Sequence, residues 1–276
     1  MKLQTKLSLL LAILLLLSSC ATGQISVSAP SETATLPPEA ILTPVPEPPT
    51  VPPVKYYSVL GDSISTYPDS MPEGYALFYV PETLEKNGMR SINDMWWAIV
   101  GASLGAGRLV NGAWSGSTVT GSYPGTCSEE RVAELSKDGR APDIILIYIG
   151  VNDFSMAAKL EKTNADDPDE ACFGSAYRLM LRRLKAQYPN AEILCGTLMR
   201  PRLPGHDEWD MPTKLGRDDY EDYNDAIRAA VRDEGCVLID LAATGIRYEV
   251  KDGLHPTAQG HRDMADAWLA CLNALA

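Results

Sequence analysis

Short apolar runs alternate with longer amphipathic segments over most of the chain after residue 53. The apolar runs cover residues 56–60, 108–111, 143–150, 191–198 and 236–241. Each run has the length of a strand. The 143–150 run is apolar on both faces, which is typical of a central parallel strand that helices cover on each side. We therefore predict five strands at these positions.

Helical periodicity marks the segments that separate and follow these strands. The predicted helices span residues 92–104, 128–135, 175–188, 218–234 and 258–275. In the 218–234 segment the larger apolar side chains fall on one helical stripe, made of Tyr220, Tyr223, Ile227, Ala230 and Val231. Repeated alternation of strand and helix predicts an α/β layer sandwich with right-handed crossovers.

The first residues are typical of an export signal rather than of a folded core. Lys2 and Lys6 precede an apolar run over residues 9–17, which Ser18-Ser19-Cys20 closes. This pattern predicts a signal peptide over residues 1–19, and the run is shorter than the roughly 20 residues that span a bilayer. The residues before Cys20 resemble a bacterial lipobox, which implies a lipid on Cys20. The alternative is an ordinary secretory signal cleaved nearby.

Both alternatives predict an exported protein. With a lipid on Cys20 it would be a membrane-anchored lipoprotein, on the bacterial cell surface or in the periplasm. Residues 20–53 would then form a tether, since nine of the chain's 20 prolines fall in residues 21–53 and favour extended polyproline II. A spacer is favoured over a Pro-rich motif for a partner. Residues 54–276 have the length of one compact domain.

Charge and cysteine content narrow the function further. The formal net charge of −12 argues against nucleic acid as a partner, because phosphate contacts depend on Lys and Arg. The six cysteines form no Cys-x-x-Cys pair, which excludes a zinc ribbon. Cys127 and Cys172 fall in turn-rich loops, where a disulfide could persist in an exported protein. The sequence leaves open whether they pair.

A serine and a histidine with the features of an activated nucleophile lie near opposite ends of the domain. Ser63 follows the first strand in a Gly-Asp-Ser turn, and His255 comes three residues after Asp252. A serine hydroxyl needs a neighbouring base, and an aspartate can hold that base in one tautomer. The other two histidines fit less well, since His206 lies in a polar loop and His261 lies within the last predicted helix. We predict Ser63 as nucleophile, His255 as base and Asp252 as its orienting residue.

Three groups at the same edge of the predicted sheet can donate hydrogen bonds to a developing oxyanion. They are the backbone N–H of Ser63, the backbone N–H of Gly116 and the side-chain amide of Asn152. All three follow predicted strands, and ligands of parallel sheets bind where the carboxyl ends of the strands meet. Taken singly, a glycine or asparagine of this kind is more often a turn residue.

Together, four motifs resemble the sequence blocks of the SGNH/GDSL hydrolases and occur in that family's order. They are Gly61-Asp62-Ser63, the glycine that ends Asn111 to Gly116, Gly150-Val151-Asn152-Asp153 and Asp252-Gly253-Leu254-His255. The resemblance covers residues 56–275. It implies a three-layer α/β/α sandwich of the flavodoxin-like kind with about five parallel strands. It also implies Ser63, Asp252 and His255 as catalytic residues, Ser63, Gly116 and Asn152 as the oxyanion hole, and no metal or cofactor.

The expected activity is hydrolysis of carboxylic esters through an acyl-enzyme on Ser63. Short-chain esters, or O-acetyl esters of an extracellular polysaccharide, are favoured because no long apolar lid segment interrupts the motifs. Trp114 and Tyr123 flank the predicted oxyanion loop and are candidates for substrate binding. A lipid or thioester acylhydrolase is the alternative enzyme, and an inactive glycan-binding surface protein is the alternative of another class.

Overall fold

The computed structural model describes residues 54–121, 125–160, 170–215 and 218–275. The predicted signal peptide (1–19), the tether (20–53), Cys20 and Tyr123 lie outside the described residues. Where the limits of these segments fall therefore stays a prediction. Among the described helices, none is long and apolar enough to cross a membrane.

Five parallel strands form the central sheet, and they fall on the five apolar runs of the sequence. The described strands are β1 (Tyr56–Gly61), β2 (Gly107–Asn111), β3 (Ile144–Tyr148), β4 (Glu192–Gly196), β5 (Pro201–Arg202), β6 (Lys214–Leu215), β7 (Asp218–Asp219), β8 (Val237–Ile239) and β9 (Tyr248–Glu249). The order in the sheet is β2-β1-β3-β4-β8. Of the short strands, β5 pairs with β9, and β6 pairs with β7.

Helices cover the sheet on both faces, so the predicted three-layer α/β/α sandwich is confirmed. The described helices are α1 (Pro81–Lys86), α2 (Trp96–Ser103), α3 (Glu129–Ala133), α4 (Val151–Ser155), α5 (Phe173–Gln187), α6 (Tyr220–Glu234) and α7 (Ala258–Leu275). Helix α2 packs against α7, and α5 packs against α3 and α6. Because β3 lies at the centre, all five of its residues are buried.

The strand order creates a crevice between β1 and β3. The chain moves from β1 outward to β2, then returns across β1 to β3 and continues in the other direction. The loops that leave the carboxyl ends of β1 and β3 therefore turn to opposite faces and leave a gap, which is where ligands of such sheets bind. Ser63 follows β1 at this point, and Asn152 follows β3.

Helix α6 shows how local sequence signals define an element. Asp219 and Asp222 form a capping box at its start, which satisfies N–H groups that have no partner within the helix. Gly235 follows its end with φ 65°, in the left-handed region that favours glycine. The apolar stripe predicted on this segment is buried against the sheet and α5.

Two short helices were not predicted, and one predicted helix begins later than expected. Helix α2 begins at Trp96, because Ser91 and Asp94 cap a separate 3₁₀ turn over Ile92–Asp94. Helices α1 and α4 have six and five residues. Such segments cover less than two turns, so hydrophobic periodicity cannot reveal them.

The sequence left open a disulfide between Cys127 and Cys172, and in this structure both residues are free cysteines. Cys127 and Cys172 are both buried, with 1% and 2% exposure. Cys172 precedes α5 and forms an isolated backbone β-bridge with Lys159. The carbonyl of Cys127 accepts a hydrogen bond from Arg183.

Candidate active site

The end of β1 presents Ser63 in a tight turn. The carboxylate of Asp62 caps this turn by accepting a hydrogen bond from the backbone N–H of Ile64 at 3.0 Å. Gly61 must be a glycine, because a Cβ atom there would lie 2.9 Å from the Ser65 hydroxyl and 3.1 Å from the Tyr148 carbonyl oxygen. The side chain of Ser63 is almost covered, with 4% exposure.

A chain of hydrogen bonds connects Ser63, His255 and Asp252. His255 Nε2 lies 3.0 Å from Ser63 Oγ, and His255 Nδ1 lies 2.8 Å from Asp252 Oδ2. Both distances are within hydrogen-bond range. Asp252 Oδ1 also accepts the backbone N–H groups of Leu254 and His255. The structure therefore brings the three predicted catalytic residues together in the predicted order.

The carboxyl group of Asp252 is ionised in this arrangement. Partial burial by itself raises its pKa, but hydrogen bonds from the His255 ring and from the His255 and Leu254 backbone lower it by more. The net pKa of Asp252 lies well below its usual range. A carboxylate in this state accepts the Nδ1–H proton of His255, which leaves Nε2 as the acceptor for the Ser63 hydroxyl.

The loop after β2 lies beside the end of β1. The backbone N–H groups of Gly112 and Trp114 donate to the carbonyls of Val59 and Gly61 at 2.8 and 3.1 Å. These bonds carry the loop past Ser63 to Gly116, which has φ 80° and is exposed. A Cβ atom at Gly116 would meet no atom of the described residues within 4 Å, so its left-handed backbone rather than crowding favours glycine there.

Asn152 and Asp153 join the β3 end to this loop. The Asn152 side-chain amide donates to the Ser117 carbonyl at 2.8 Å, and it has a second hydrogen for an oxyanion. The Asp153 carboxylate accepts the backbone N–H groups of Val119 and Thr120 at 2.8 and 3.0 Å. The three predicted oxyanion donors, on Ser63, Gly116 and Asn152, therefore belong to one connected group of loops.

Two carboxyl groups lie buried behind the nucleophile turn. Burial is the largest cause that raises the pKa of Asp62 to about 7 and the pKa of Asp153 to about 6. The negative charge of Asp153 raises the pKa of Asp62 further. Within the described residues, Asp62 Oδ2 has no hydrogen-bond partner. These groups differ from Asp252, whose pKa is shifted in the opposite direction.

A cavity of about 390 Å³ opens beside the oxyanion loop, and the sequence did not indicate most of its walls. Its lining includes Trp114, Cys127, Glu130, Arg131, Glu134 and Glu170. Arg131 is buried and donates to Gly112 O and Ser117 Oγ at 2.8 and 3.0 Å. The rings of Trp114 and Tyr75 lie 4.1 Å apart, and the Arg131 guanidinium lies over both.

The remaining predicted site residues fall as follows. Trp114 is half-buried at the cavity, whereas Tyr123 lies outside the described residues. His206 is exposed near Glu208, and His261 is fully buried in α7. Among the described residues, no group of His, Cys, Asp or Glu side chains has an arrangement that could hold a metal ion.

A parallel α/β sandwich with a Ser–His–Asp hydrogen-bond chain at the crevice between β1 and β3 defines a class of protein, the serine hydrolases. The sequence model of the GDSL-like lipase/acylhydrolase family matches residues 59–262, and the chain belongs to that family. It is therefore a serine ester hydrolase. No curated protein matches the chain.

Solved structures show the same fold. A GDSL-like lipase from Bacteroides ovatus has a TM-score of 0.62 and 22% identity, over 80% of this chain and 99% of its own. A GDSL-like lipase from Bacteroides uniformis has a TM-score of 0.60 and 23% identity, over 80% and 96%. A protein from Lactobacillus plantarum has a TM-score of 0.58 and 23% identity, over 80% and 97%.

Proposed function

We propose that this chain hydrolyses short-chain esters, in particular O-acetyl esters of an extracellular carbohydrate, through an acyl-enzyme on Ser63. One observation carries the proposal. His255, 192 residues away along the chain, lies between Ser63 Oγ and the ionised Asp252 at hydrogen-bond distance from both. This geometry gives a serine hydroxyl the base that it needs at neutral pH.

The reaction follows from the positions of these groups. Ser63 Oγ attacks the ester carbonyl carbon while His255 Nε2 takes its proton, and the carbonyl oxygen becomes an oxyanion. Imidazolium at His255 then gives the proton to the leaving alcohol as the ester C–O bond breaks. Water, deprotonated by the same Nε2, attacks the acyl-enzyme and releases the acid and Ser63. Asp252 keeps its negative charge throughout and stabilises the imidazolium.

The oxyanion receives its hydrogen bonds from Ser63 N–H, Gly116 N–H and the second N–H of Asn152. Each such donor contributes roughly 3 kcal/mol of transition-state stabilisation in hydrolases of this kind. The exposed position of Gly116 and the open space beside its Cα support this assignment, because an acyl group needs room at that point.

Two features favour a small acyl group on a carbohydrate. Ser63 is only 4% exposed, and the Phe78 ring lies against His255, so little room surrounds the nucleophile. Beside the oxyanion loop, the 390 Å³ cavity combines the Trp114 ring with carboxylates. An aromatic face can pack on the C–H face of a sugar, and carboxylates accept hydrogen bonds from its hydroxyls.

A series of 4-nitrophenyl esters from acetate to palmitate, assayed beside acetylated polysaccharides, tests the proposal. We expect the highest kcat/KM with acetate and release of acetic acid from polysaccharide, with no turnover by Ser63→Ala. A maximum at long acyl chains would favour the lipid acylhydrolase instead. Polysaccharide binding without turnover of any ester would favour the inactive glycan-binding protein.

Trp114→Ala tests the carbohydrate side separately. We expect kcat/KM on acetylated polysaccharide to fall about tenfold or more, while kcat/KM on 4-nitrophenyl acetate stays within about twofold. Tyr56→Ala is the matched control, because Tyr56 is a half-buried aromatic residue at the amino end of β1 and away from the cavity lining. Equal losses on both substrates in Trp114→Ala would remove the proposed sugar contact.

We also propose that the protein is exported and anchored through a lipid on Cys20, with residues 20–53 as a spacer. Support comes from the sequence of residues 1–20 alone. In a bacterial host, the wild type should incorporate labelled palmitate and sediment with membranes, whereas Cys20→Ser should do neither. Secretion of a wild-type protein that lacks the label would indicate an ordinary signal peptide.

A further inference from the structure

The segment before α1 contacts the predicted base, His255, and the residue that follows it. The ring of Phe78 stacks on the ring of His255, with centroids 3.3 Å apart and an interplanar angle of 11°. The next residue, Tyr79, is fully buried and donates its hydroxyl proton to the carbonyl of Pro256 at 2.8 Å. Two adjacent side chains therefore touch the base and the residue that follows it.

Phe78 is also connected to the nucleophile turn. The backbone N–H of Phe78 donates to Thr66 Oγ1 at 3.1 Å, and Thr66 Oγ1 donates to the carbonyl of Ser63 at 3.0 Å. Ser63 and His255 are thus joined by a second route, which runs through Thr66, Phe78 and the stacked rings.

Helix α7 holds the hydroxyl of Tyr79. His261 Nε2 lies 3.1 Å from Tyr79 Oη, and His261 Nδ1 accepts the backbone N–H of Trp96 at 3.5 Å. Burial lowers the pKa of His261 to about 3, so its ring is neutral. With Nδ1 as acceptor, Nε2 carries the proton and donates to Tyr79, which in turn donates to Pro256. Every polar atom of this buried chain then has a partner.

We propose that Phe78 and Tyr79 are positioning residues that hold His255 against Ser63. This inference rests on the proposed function of His255 as the base. The flat face of Phe78 prevents the imidazole from rotating away, and its negative face stabilises the imidazolium that forms during acylation. Tyr79 fixes the backbone at Pro256 and thereby the distance between His255 Nε2 and Ser63 Oγ. A misplaced base lowers the rate of chemistry without a matching change in substrate affinity.

Phe78→Leu, Phe78→Tyr and Tyr79→Phe, each in the full chain, test the proposal with 4-nitrophenyl acetate. We expect Phe78→Leu to lower kcat about tenfold to a hundredfold with KM within about twofold. Phe78→Tyr keeps the aromatic face and should recover most of the rate. Tyr79→Phe should lower kcat about threefold to tenfold. Tyr177→Phe removes a buried hydroxyl from α5 as control and should keep the wild-type kcat.

A second measurement does not depend on turnover. In wild type, the Nδ1 proton of His255 bonded to Asp252 should give a far-downfield proton NMR signal, which Phe78→Leu should broaden or shift. If the wild type hydrolyses no ester, the proposed function fails, and this signal still decides whether Phe78 orders the ring. Unchanged kcat together with an unchanged signal in Phe78→Leu would overturn the positioning role. A rise in KM alone would make Phe78 a wall of the substrate site instead.

Discussion

Ser63 and its oxyanion donors lie in the loops that follow β1, β2 and β3 of the central sheet, whereas Asp252 and His255 lie in a loop between β9 and α7. We call the first group, with Asp62, Ser63, Gly116 and Asn152, the nucleophile side. It is held by main-chain hydrogen bonds to β1 and by the buried side chains of Arg131 and Asp153. Its position follows from the sheet itself.

The base side, residues 252–255, depends on contacts from distant segments. The Asp252 side chain is partly exposed, whereas Ser63 is buried. Phe78 stacks on His255, Tyr79 holds Pro256, and the Trp209 ring lies beside Gly253. The comparison teaches that the sheet builds the oxyanion hole directly, while the base is aligned by side chains that sheet topology does not specify.

The largest expected effect comes from removing the nucleophile of one side or the base of the other. Ser63→Ala and His255→Ala should each lower kcat by about four orders of magnitude or more, and the double variant should be no slower than either single one, because the residues act as a unit. Steady-state and single-turnover assays measure this, with circular dichroism to confirm folding. Activity in either variant near that of wild type would remove that residue from the mechanism.

A second prediction uses the raised pKa of the buried Asp62 carboxyl on the nucleophile side. The pKa of Asp62 is raised to about 7, so between about pH 4 and 7 the folded state binds more protons than the unfolded state. The free energy of unfolding must therefore fall as pH rises through this range, by up to about 4 kcal/mol from this group. Asp62→Asn should reduce this pH-dependent decrease in the free energy of unfolding, because it removes the titrating carboxyl. The Asn side-chain oxygen can still accept the hydrogen bond from Ile64 N–H.

Denaturant unfolding at a series of pH values measures this effect. The contribution of Asp153, whose pKa is raised to about 6, should remain in the variant. Asp207→Asn, an exposed change in the loop after β5, is the control and should follow the wild-type profile. Identical profiles for Asp62→Asn and wild type would contradict the buried-carboxyl explanation.

Asn152→Ala removes one oxyanion donor from the nucleophile side and leaves the base side unchanged. We expect kcat to fall about a hundredfold or more with little change in KM, because the lost amide acts on the oxyanion of the transition state. Ser155→Ala is a matched control on the same helix, since Ser155 is exposed and donates only to Val151 within α4. A loss confined to KM would argue against the oxyanion role.

The smallest expected effect concerns the backbone that follows Asn152. Ala157, two residues after the end of helix α4, has φ 53°, and the N–H groups of Ala157 and Ala158 donate back to the carbonyls of Phe154 and Asp153. Glycine is the usual residue at this position, because a Cβ atom is strained there. Ala157→Gly should raise the free energy of unfolding by about 1 kcal/mol and leave kcat near wild type. A decrease in stability would show that the turn is not strained.

The sequence determined much of the fold and the candidate site. Apolar runs of strand length and helical stripes are local signals, and the order of the four motifs placed Ser63, Gly116, Asn152 and His255 at the carboxyl ends of strands or near them. Parallel topology then brings these positions to one rim. Residues such as Asp252 carry a signal through their short spacing to His255.

Only the tertiary structure decided which side chains support that rim. Phe78, Tyr79, Arg131 and His261 reach the site across long separations in sequence, and nothing in their local pattern marks them. The burial of Cys127 and Cys172 was likewise not visible in the sequence, since burial of a loop depends on what packs over it. Local periodicity records which face of an element is buried, but the partner on that face is set by packing of the whole domain.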